Sequence, residues 1–225
     1  MTKIIKSLFG AVLPLLVFTS GNGAMAQAWQ NVLVYQLAVP NGAIGYSLAA
    51  DALGNVFSGG EGTGASGYER GLVLKTDTPE ANWFLSDDTN PNPGYDENWV
   101  NSVGFDSNGN LYSVGQLWPS GGLPPYWQVR KSSDRGVTWT TVDLYQYPLS
   151  SFDVDPTGFT ADNAGNIYVV GWGNSAGIRH WLVRKSADGG QTWALVDDMT
   201  GGNLASQGCF VPGVGLFVVD RKSVV

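Results

Sequence analysis

The chain has 225 residues, a formal net charge of −7, and 14% charged against 43% hydrophobic residues. This acidic balance argues against nucleic acid or anionic lipid as a partner, because phosphate contacts need clustered lysine and arginine. The single cysteine, Cys209, excludes an internal disulfide and suits a bacterial exported protein better than a disulfide-stapled one.

The first predicted element is a signal peptide covering residues 1–26. Lys3 and Lys6 give a positive start, and residues 8–18 form an apolar run that is too short to span a bilayer comfortably. Ala24-Met25-Ala26 then supplies an A-x-A cleavage site. We therefore expect a secreted, periplasmic or cell-surface bacterial protein that is not inserted in a membrane after cleavage. A retained N-terminal anchor is the alternative.

The rest of the chain repeats with a period of about 55 residues. Tryptophans recur at 29, 83, 139 and 193, at intervals of 54, 56 and 54, and a Gly-Asn pair recurs at 54, 109 and 165. An eight-residue pattern, S-x-D-x-G-x-T-W, occurs in full at 132–139 and 186–193, and residues 76–83 keep only its ends. We call the two full copies the box turns. Self-similarity at a fixed period indicates one repeated supersecondary unit.

Each repeat is predicted to contain four short strands. In the middle repeat, residues 101–105 and 111–115 flank a tight turn in which Gly and Asn tolerate positive φ. Residues 126–131 and 140–144 flank a box turn, and no 3.6-residue apolar period appears in the mature chain. Four antiparallel strands repeated at this period predict an all-β chain, a β-propeller of four-stranded blades.

The predicted propeller covers residues 27–225 and contains about three and a half blades. The blades are expected at 38–88, 98–144 and 152–198, with a partial fourth at 207–220. Residues 29–36 parallel residues 139–146, so the mature chain is predicted to begin at the fourth strand of a blade. Because the C-terminal end lacks a matching third strand and box, we expect an incomplete ring. A self-contained open arc is the alternative.

The box turns resemble the Asp-box repeats, also called BNR or sialidase repeats, of a β-propeller family. Both copies match that motif at every defined position, and the resemblance covers most of residues 29–200. It implies that each turn joins the third and fourth strands of a blade at the outer rim and has a structural, not a catalytic, role. The residues concerned are Ser132, Asp134, Gly136, Thr138, Trp139, Ser186, Asp188, Gly190, Thr192 and Trp193.

Binding residues are expected in the loops that join second to third strands and one blade to the next, because loops on a rigid scaffold usually carry function. The first kind is predicted at 61–71, 116–125 and 172–180, and the second at 86–98, 145–153 and 197–206. Aromatic rings beside carboxylates suit sugars or peptide side chains, with loop-to-loop packing as the alternative. The candidates are Tyr68, Glu69, Arg70, Tyr95, Asp96, Glu97, Trp118, Trp172 and Arg179, with His180 beside them.

A sialidase is the enzyme to which the resemblance points. In that family three arginines grip a carboxylate, a glutamate activates a tyrosine nucleophile, and an aspartate is the acid and base. Only Arg70 and Arg179 fall in predicted binding loops here, while Arg130 and Arg184 occupy equivalent positions before the box turns. A lone histidine also excludes a multi-histidine metal site. We predict no catalytic residue, no cofactor and no metal.

The sequence therefore predicts an exported, non-catalytic recognition module that binds a glycan or a protein through its blade loops. The alternative is a fragment of a sialidase-like propeller glycoside hydrolase. Self-association through open blade edges is a further partner hypothesis that the repeat pattern leaves open.

Overall fold

The computed structural model describes residues 43–63, 67–76, 83–89, 95–148, 150–200, 205–211 and 215–220. The predicted signal peptide and the predicted strand at 29–36 lie outside these residues. All regular elements of the described residues are β-strands, which confirms the all-β prediction. Within the same residues, no helix has the length and apolar character to cross a membrane.

Three four-stranded antiparallel sheets and one strand pair follow one another along the described chain. The first sheet contains β1 (Ala43–Ala50), β2 (Val56–Thr63), β3 (Glu69–Thr76) and β4 (Phe84–Thr89). The second contains β5 (Tyr95–Phe105), β6 (Leu111–Pro119), β7 (Tyr126–Ser132) and β8 (Thr140–Tyr145). The third contains β9 (Ser150–Ala161), β10 (Ile167–Ser175), β11 (Ile178–Ser186) and β12 (Ala194–Thr200). The pair is β13 (Ala205–Val211) with β14 (Gly215–Asp220).

The strands of each sheet are longer than predicted, and this corrects the loop assignment. Much of the predicted loops at 61–71, 116–125 and 172–180 is strand, and the β10–β11 connection shrinks to residues 176–177. Glycines inside the strands serve the packing of neighbouring strands. A Cβ added to Gly60 would lie 2.0 Å from the carbonyl oxygen of Ile44 on the neighbouring strand. Only glycine allows such a close backbone approach.

The turn between first and second strands is the same in all three sheets. In the second sheet, Asp106 Oδ1 accepts the backbone N–H groups of Asn108 (2.9 Å) and Asn110 (2.8 Å). The Asn110 side-chain amide donates to Asp106 Oδ2 at 2.7 Å, and Gly109 takes a φ of +79°. Asp51 and Asp162 make the corresponding bonds in the other sheets. The recurring Gly-Asn pair therefore marks a side-chain-locked hairpin.

The apolar core lies between neighbouring sheets. The first and second sheets share a cluster of Phe57, Val73, Val100, Val103 and Leu111. The second and third share a larger cluster formed by Tyr112, Val114, Trp127, Val129, Tyr147, Val154, Ile167, Val169 and Leu182. The first strands of the sheets contact each other, β1 with β5, β5 with β9, and β9 with β13. The sheets are therefore stacked side by side through their first strands, as propeller blades are.

Each box turn connects the third and fourth strands of its sheet through a network of side-chain bonds. Asp134 Oδ1 accepts the N–H groups of Val137 (3.1 Å) and Thr138 (2.8 Å), and the Thr138 hydroxyl donates to Oδ2 at 2.5 Å. The Ser132 hydroxyl donates to Asp134 at 2.7 Å and accepts the Gly136 N–H at 2.7 Å. The 186–193 turn repeats these bonds. The motif residues thus replace the ladder bonds lost at the reversal.

The box turns also dock on the preceding sheet. The Ser86 hydroxyl of β4 donates to the Gly136 carbonyl at 2.7 Å, and the Trp139 indole N–H donates to the Ser86 oxygen at 3.3 Å. In the next interface, Tyr112 and Lys131 donate to the Gly189 carbonyl at 3.1 and 2.8 Å. Both box turns therefore form hydrogen bonds with the sheet that precedes them in the chain.

Two arginine–aspartate pairs each join the third strand of one sheet to the fourth strand of the sheet before it. Arg130 binds Asp87 through Nε (2.7 Å) and Nη2 (3.0 Å). Arg184 binds Asp143 in the same way, at 2.7 and 2.9 Å. The equivalent sequence positions of the two arginines therefore correspond to equivalent contacts between sheets. Such two-pronged pairs fix orientation as well as charge.

Candidate functional site

Four side chains from the first two sheets form what we call the inner acidic cluster: Tyr46, Glu61, Glu69 and Glu97. They come from β1, β2, β3 and β5, at the end of the sheets that carries the β2–β3 and β6–β7 hairpins. The sequence singled out Glu69 and Glu97 but missed Tyr46 and Glu61. The position of Glu61, a charged residue within a glycine-rich stretch, is the sequence signal that could have identified the cluster.

Glu61 forms the buried part of the cluster, and Tyr46, which is 45% exposed, lies beside it. The tyrosine hydroxyl donates to the Glu61 carboxylate, whose residue is only 9% exposed. Burial raises the pKa of Tyr46 well above its usual range, and the bond to Glu61 adds to this. Burial also raises the pKa of Glu61, with the charges of Glu69 and Glu97 adding and the Tyr46 bond opposing. Tyr46 is therefore a neutral phenol that donates a hydrogen bond to Glu61, a carboxylate of raised pKa.

Two tryptophans border the cluster. The Trp99 indole N–H donates to Glu69, and the Trp99 and Trp118 rings meet edge to face with centroids 6.3 Å apart. Trp118 pairs with Glu97 across β5 and β6, and burial raises the pKa of Glu97, with Glu69 and Asp96 adding. Carboxylates thus alternate with aromatic rings on this edge. That combination offers hydrogen-bond acceptors beside apolar faces.

The third sheet reaches the same region through Asp155. The Asn101 side-chain amide donates to Asp155 Oδ1 at 2.6 Å and to the Pro156 carbonyl at 3.0 Å. The charge of Asp155 contributes to the raised pKa of Tyr46. First strands of all three sheets therefore supply polar groups here.

A second group of predicted candidates lies on the third sheet. Arg179 stands over the Trp172 ring, with its guanidinium carbon 5.1 Å from the centroid. His180 Nδ1 lies 2.6 Å from Asp198 Oδ1, and the Tyr147 hydroxyl donates to Asp198 Oδ2 at 3.1 Å. Burial, followed by the bond to Asp198, raises the pKa of Tyr147 to about 12. His180 is thus held by an acidic partner on the neighbouring strand.

The remaining candidates take other positions. Arg70 pairs with Asp88 of its own sheet, with Nε 3.1 Å from Oδ1. Asp96 accepts the Ser120 hydroxyl at 2.7 Å, and Tyr68 is 47% exposed. The backbone of Tyr95 opens β5, and its side chain lies outside the described residues. All candidates except Tyr68 lie in strands, because the hairpins are tighter than the sequence suggested.

Comparison with known proteins identifies the repeat but not the activity. The family model of the SBBP beta-propeller repeat matches residues 151–179. No curated protein matches the chain.

Three solved structures share the fold. An ulvan lyase, a polysaccharide lyase, has a TM-score of 0.55 at 12% identity and covers 83% of this chain and 50% of its own. An α-L-arabinofuranosidase from Fusarium graminearum has a TM-score of 0.51 at 14% identity, covering 72% and 51%. A protein of unknown function from Dyadobacter fermentans has a TM-score of 0.52 at 13% identity, covering 78% and 61%.

The chain thus spans about half the length of the lyase and the arabinofuranosidase. At these identities the likeness is one of fold alone. Together with the repeat match and the stacked sheets, it identifies a β-propeller architecture.

Proposed function

We propose that this protein is a glycan-recognition propeller whose ligand site is the inner acidic cluster with Trp99 and Trp118. One observation carries the proposal: carboxylates from separate strands converge beside the two indoles and are bonded to Tyr46 and Trp99. Carboxylates accept hydrogen bonds from sugar hydroxyls, and indole faces pack on the C–H faces of sugar rings. Two of the structurally similar proteins act on polysaccharides or arabinofuranosides, which agrees with a glycan ligand.

The positions of two arginines support a non-catalytic role. Arg70 and Arg179, the two that the sequence predicted on this face, bind Asp88 and lie over Trp172 instead. A sialidase-type grip on a substrate carboxylate therefore has no support from these two residues.

Carbohydrate cleavage is a second candidate, favoured by the pKa values of Glu61 and Glu97. Both are raised by burial and by neighbouring charges. A carboxylic acid that keeps its proton can donate it to a leaving glycosidic oxygen while another carboxylate acts as base or nucleophile. Tyr46 beside Glu61 also matches the tyrosine–glutamate pair expected of sialidases.

Two further expectations complete the proposal. The box turns are Asp boxes, an assignment supported by hydrogen bonds that use every defined residue of that motif, including the indole N–H groups of Trp139 and Trp193. The protein is exported by the signal peptide at residues 1–26, on the sequence pattern described above.

Polysaccharide binding tests the proposal. The protein would be titrated by calorimetry with arabinan, xylan, chitosan and polygalacturonate, alongside W118A, E61Q and the control F84A on outer strand β4. We expect at least one polysaccharide to bind, and W118A to weaken it about tenfold or more, since buried aromatic anchors contribute about 2 kcal/mol or more. F84A should bind as the wild type does. Absence of binding, or binding unchanged in W118A and E61Q, contradicts the proposal.

Turnover separates the two candidates. The same polysaccharides and chromogenic glycosides would be assayed for cleavage by the wild type, E61Q and E97Q. Recognition alone predicts no turnover. Turnover that E61Q or E97Q abolishes would replace recognition by hydrolysis.

A further inference from the structure

The fourth strands of the three sheets carry an aspartate at the same register position. Val73 pairs with Asp87, Val129 with Asp143, and Val183 with Asp197. In every sheet the register shifts just after that valine. Asp87, Asp143 and Asp197 are therefore structurally equivalent.

Two of these aspartates are bound by an arginine from the following sheet. Asp87 holds Arg130 and Asp143 holds Arg184, and their side chains are only 7% and 10% exposed. Asp197 is exposed, and within the described residues no cation pairs with it. Asp197 is thus the equivalent of the two aspartates that accept an arginine, but its carboxylate is exposed to solvent.

The residue before Asp87 and the residue before Asp143 each contact the box turn of the next sheet. Ser86 bonds the 132–139 turn, and Val142 lies against the 186–193 turn, 3.5 Å from where a Cβ on Gly190 would stand. The corresponding Val196 is 52% exposed. We call Val196 and Asp197 the outer β12 face.

The strand pair β13–β14 supplies an independent observation. β13 packs on β9 and β10, as β5 packs on β1 and β2, so β13 and β14 hold first- and second-strand positions of a fourth sheet. In each complete sheet the second strand pairs with a third strand on its other side. Among the described residues, β14 pairs with β13 alone. A third strand added to β14 would stand where Arg130 and Arg184 stand in their sheets.

We propose that the outer β12 face and the edge of β14 opposite β13 together dock one β-hairpin of the same repeat type. Its first strand pairs with β14 and presents an arginine to Asp197, and its turn packs on Val196. The partner is thus a protein segment similar to residues 126–145, with an arginine in its first strand followed by a Ser-x-Asp-x-Gly-x-Thr-Trp turn. Free strand edges favour such pairing, and the arginine fixes its register.

A synthetic peptide of residues 126–145 tests this directly. We expect it to bind the full chain, measured by fluorescence anisotropy. D197N should weaken binding about tenfold or more, because it removes the charged acceptor of the arginine. A peptide carrying R130D should lose binding to the wild type and regain it with D197R. The control D96N, whose carboxylate lies in another sheet, should bind as the wild type does. Equal binding to the wild type and D197R overturns the proposal.

A covalent version guards against a peptide that does not fold alone. A copy of residues 126–145 added directly after Val225 should raise the melting temperature, and D197R should remove that gain while R130D in the added copy restores it. An added copy without effect on stability overturns the proposal. Sedimentation velocity covers the other occupant: dimers of the original chain that D197R dissociates would assign the face to a second copy and overturn the hairpin.

Discussion

Glu61 is a carboxylate held where its charge is unfavourable. It lies within β2, almost fully buried, near the charges of Glu69 and Glu97 and with the Tyr46 hydroxyl as a bonded donor. Residues that destabilise the fold in this way are commonly kept for function. Glutamine would retain the acceptor for Tyr46 and remove the charge.

E61Q should therefore raise the melting temperature at pH 7. The pKa of Glu61 is raised in the folded state, so its ionisation destabilises the fold once the pH exceeds the unfolded value of about 4.3. The gain should vanish below about pH 4, where both states are protonated. Thermal denaturation followed by circular dichroism at pH 7 and pH 3.5 measures this. An E61Q variant that is less stable than the wild type at pH 7 would refute the argument.

Y46F removes the hydroxyl that donates to Glu61. It should lower the free energy of unfolding at pH 7 by about 1–3 kcal/mol.

The box-turn aspartates titrate in the opposite sense. The Thr192 hydroxyl and N–H lower the pKa of Asp188 to about 2, and the Thr138 groups lower the pKa of Asp134 further. Depressed folded-state pKa values stabilise the fold above the unfolded value of about 3.9. That contribution is lost as the pH falls through the folded value.

T192V should thus be less stable than the wild type at pH 5, and the difference should shrink between about pH 4 and pH 2. Melting temperatures across this pH range measure it. T200V, at the exposed end of β12, is the control and should show no pH-dependent difference. A T192V defect that stays constant down to pH 2 would contradict the assignment.

At the scale of elements, the sheets are joined by the buried Arg184–Asp143 pair. The guanidinium also lies 3.9 Å from the Tyr145 ring centroid. Removing the cation alone leaves a buried carboxylate uncompensated, which is costly, whereas replacing both partners by apolar residues can be nearly neutral.

R184Q should therefore destabilise the fold by about 3–5 kcal/mol, and R184L with D143L by much less. Urea denaturation measures both. R179Q, which removes a cation from the Trp172 ring on the surface, is the matched control and should cost about 1 kcal/mol or less. An R184Q variant as stable as R179Q would show that the pair does not hold the sheets together.

The repeated elements could be predicted because their signals are local. The Gly-Asn hairpins and the box turns each lie within five to eight residues, so spacing alone indicated four strands per unit. The strand ends could not be predicted. Residues 95–98 and 116–119 contain polar and turn-forming types, yet they extend β5 and β6 because cross-strand pairing continues there.

The inner acidic cluster could not be predicted because its residues come from two different repeats. Tyr46, Glu61, Glu69 and Glu97 are spread over nearly a whole repeat in sequence and meet only because the sheets stack through their first strands. No spacing rule within one repeat identifies residues that converge from two repeats. The roles assigned to the predicted candidates remain predictions.

At the scale of the whole molecule, the outer strands should differ in stability. The third sheet partly covers β8, at Val142, Asp143 and Tyr145, whereas every residue of β12 is exposed. Amide hydrogens bonded in β12 should therefore exchange at least about tenfold faster than those in β8. Hydrogen exchange followed by mass spectrometry measures this, with the equivalent amides of Asp143 and Asp197 as the matched pair. Equal protection would mean that the covering sheet adds no stability to the strand beneath it.

The direction in which the box turns clamp has a consequence for synthesis. Each turn fastens the sheet that precedes it, so a sheet leaving the ribosome still lacks the turn that covers its outer strand. At about 5–20 residues per second, a repeat of about 55 residues delays that turn by roughly 3–11 seconds. During each such interval the newest sheet of the nascent chain is incompletely covered, and we expect translation speed to influence the yield of folded protein.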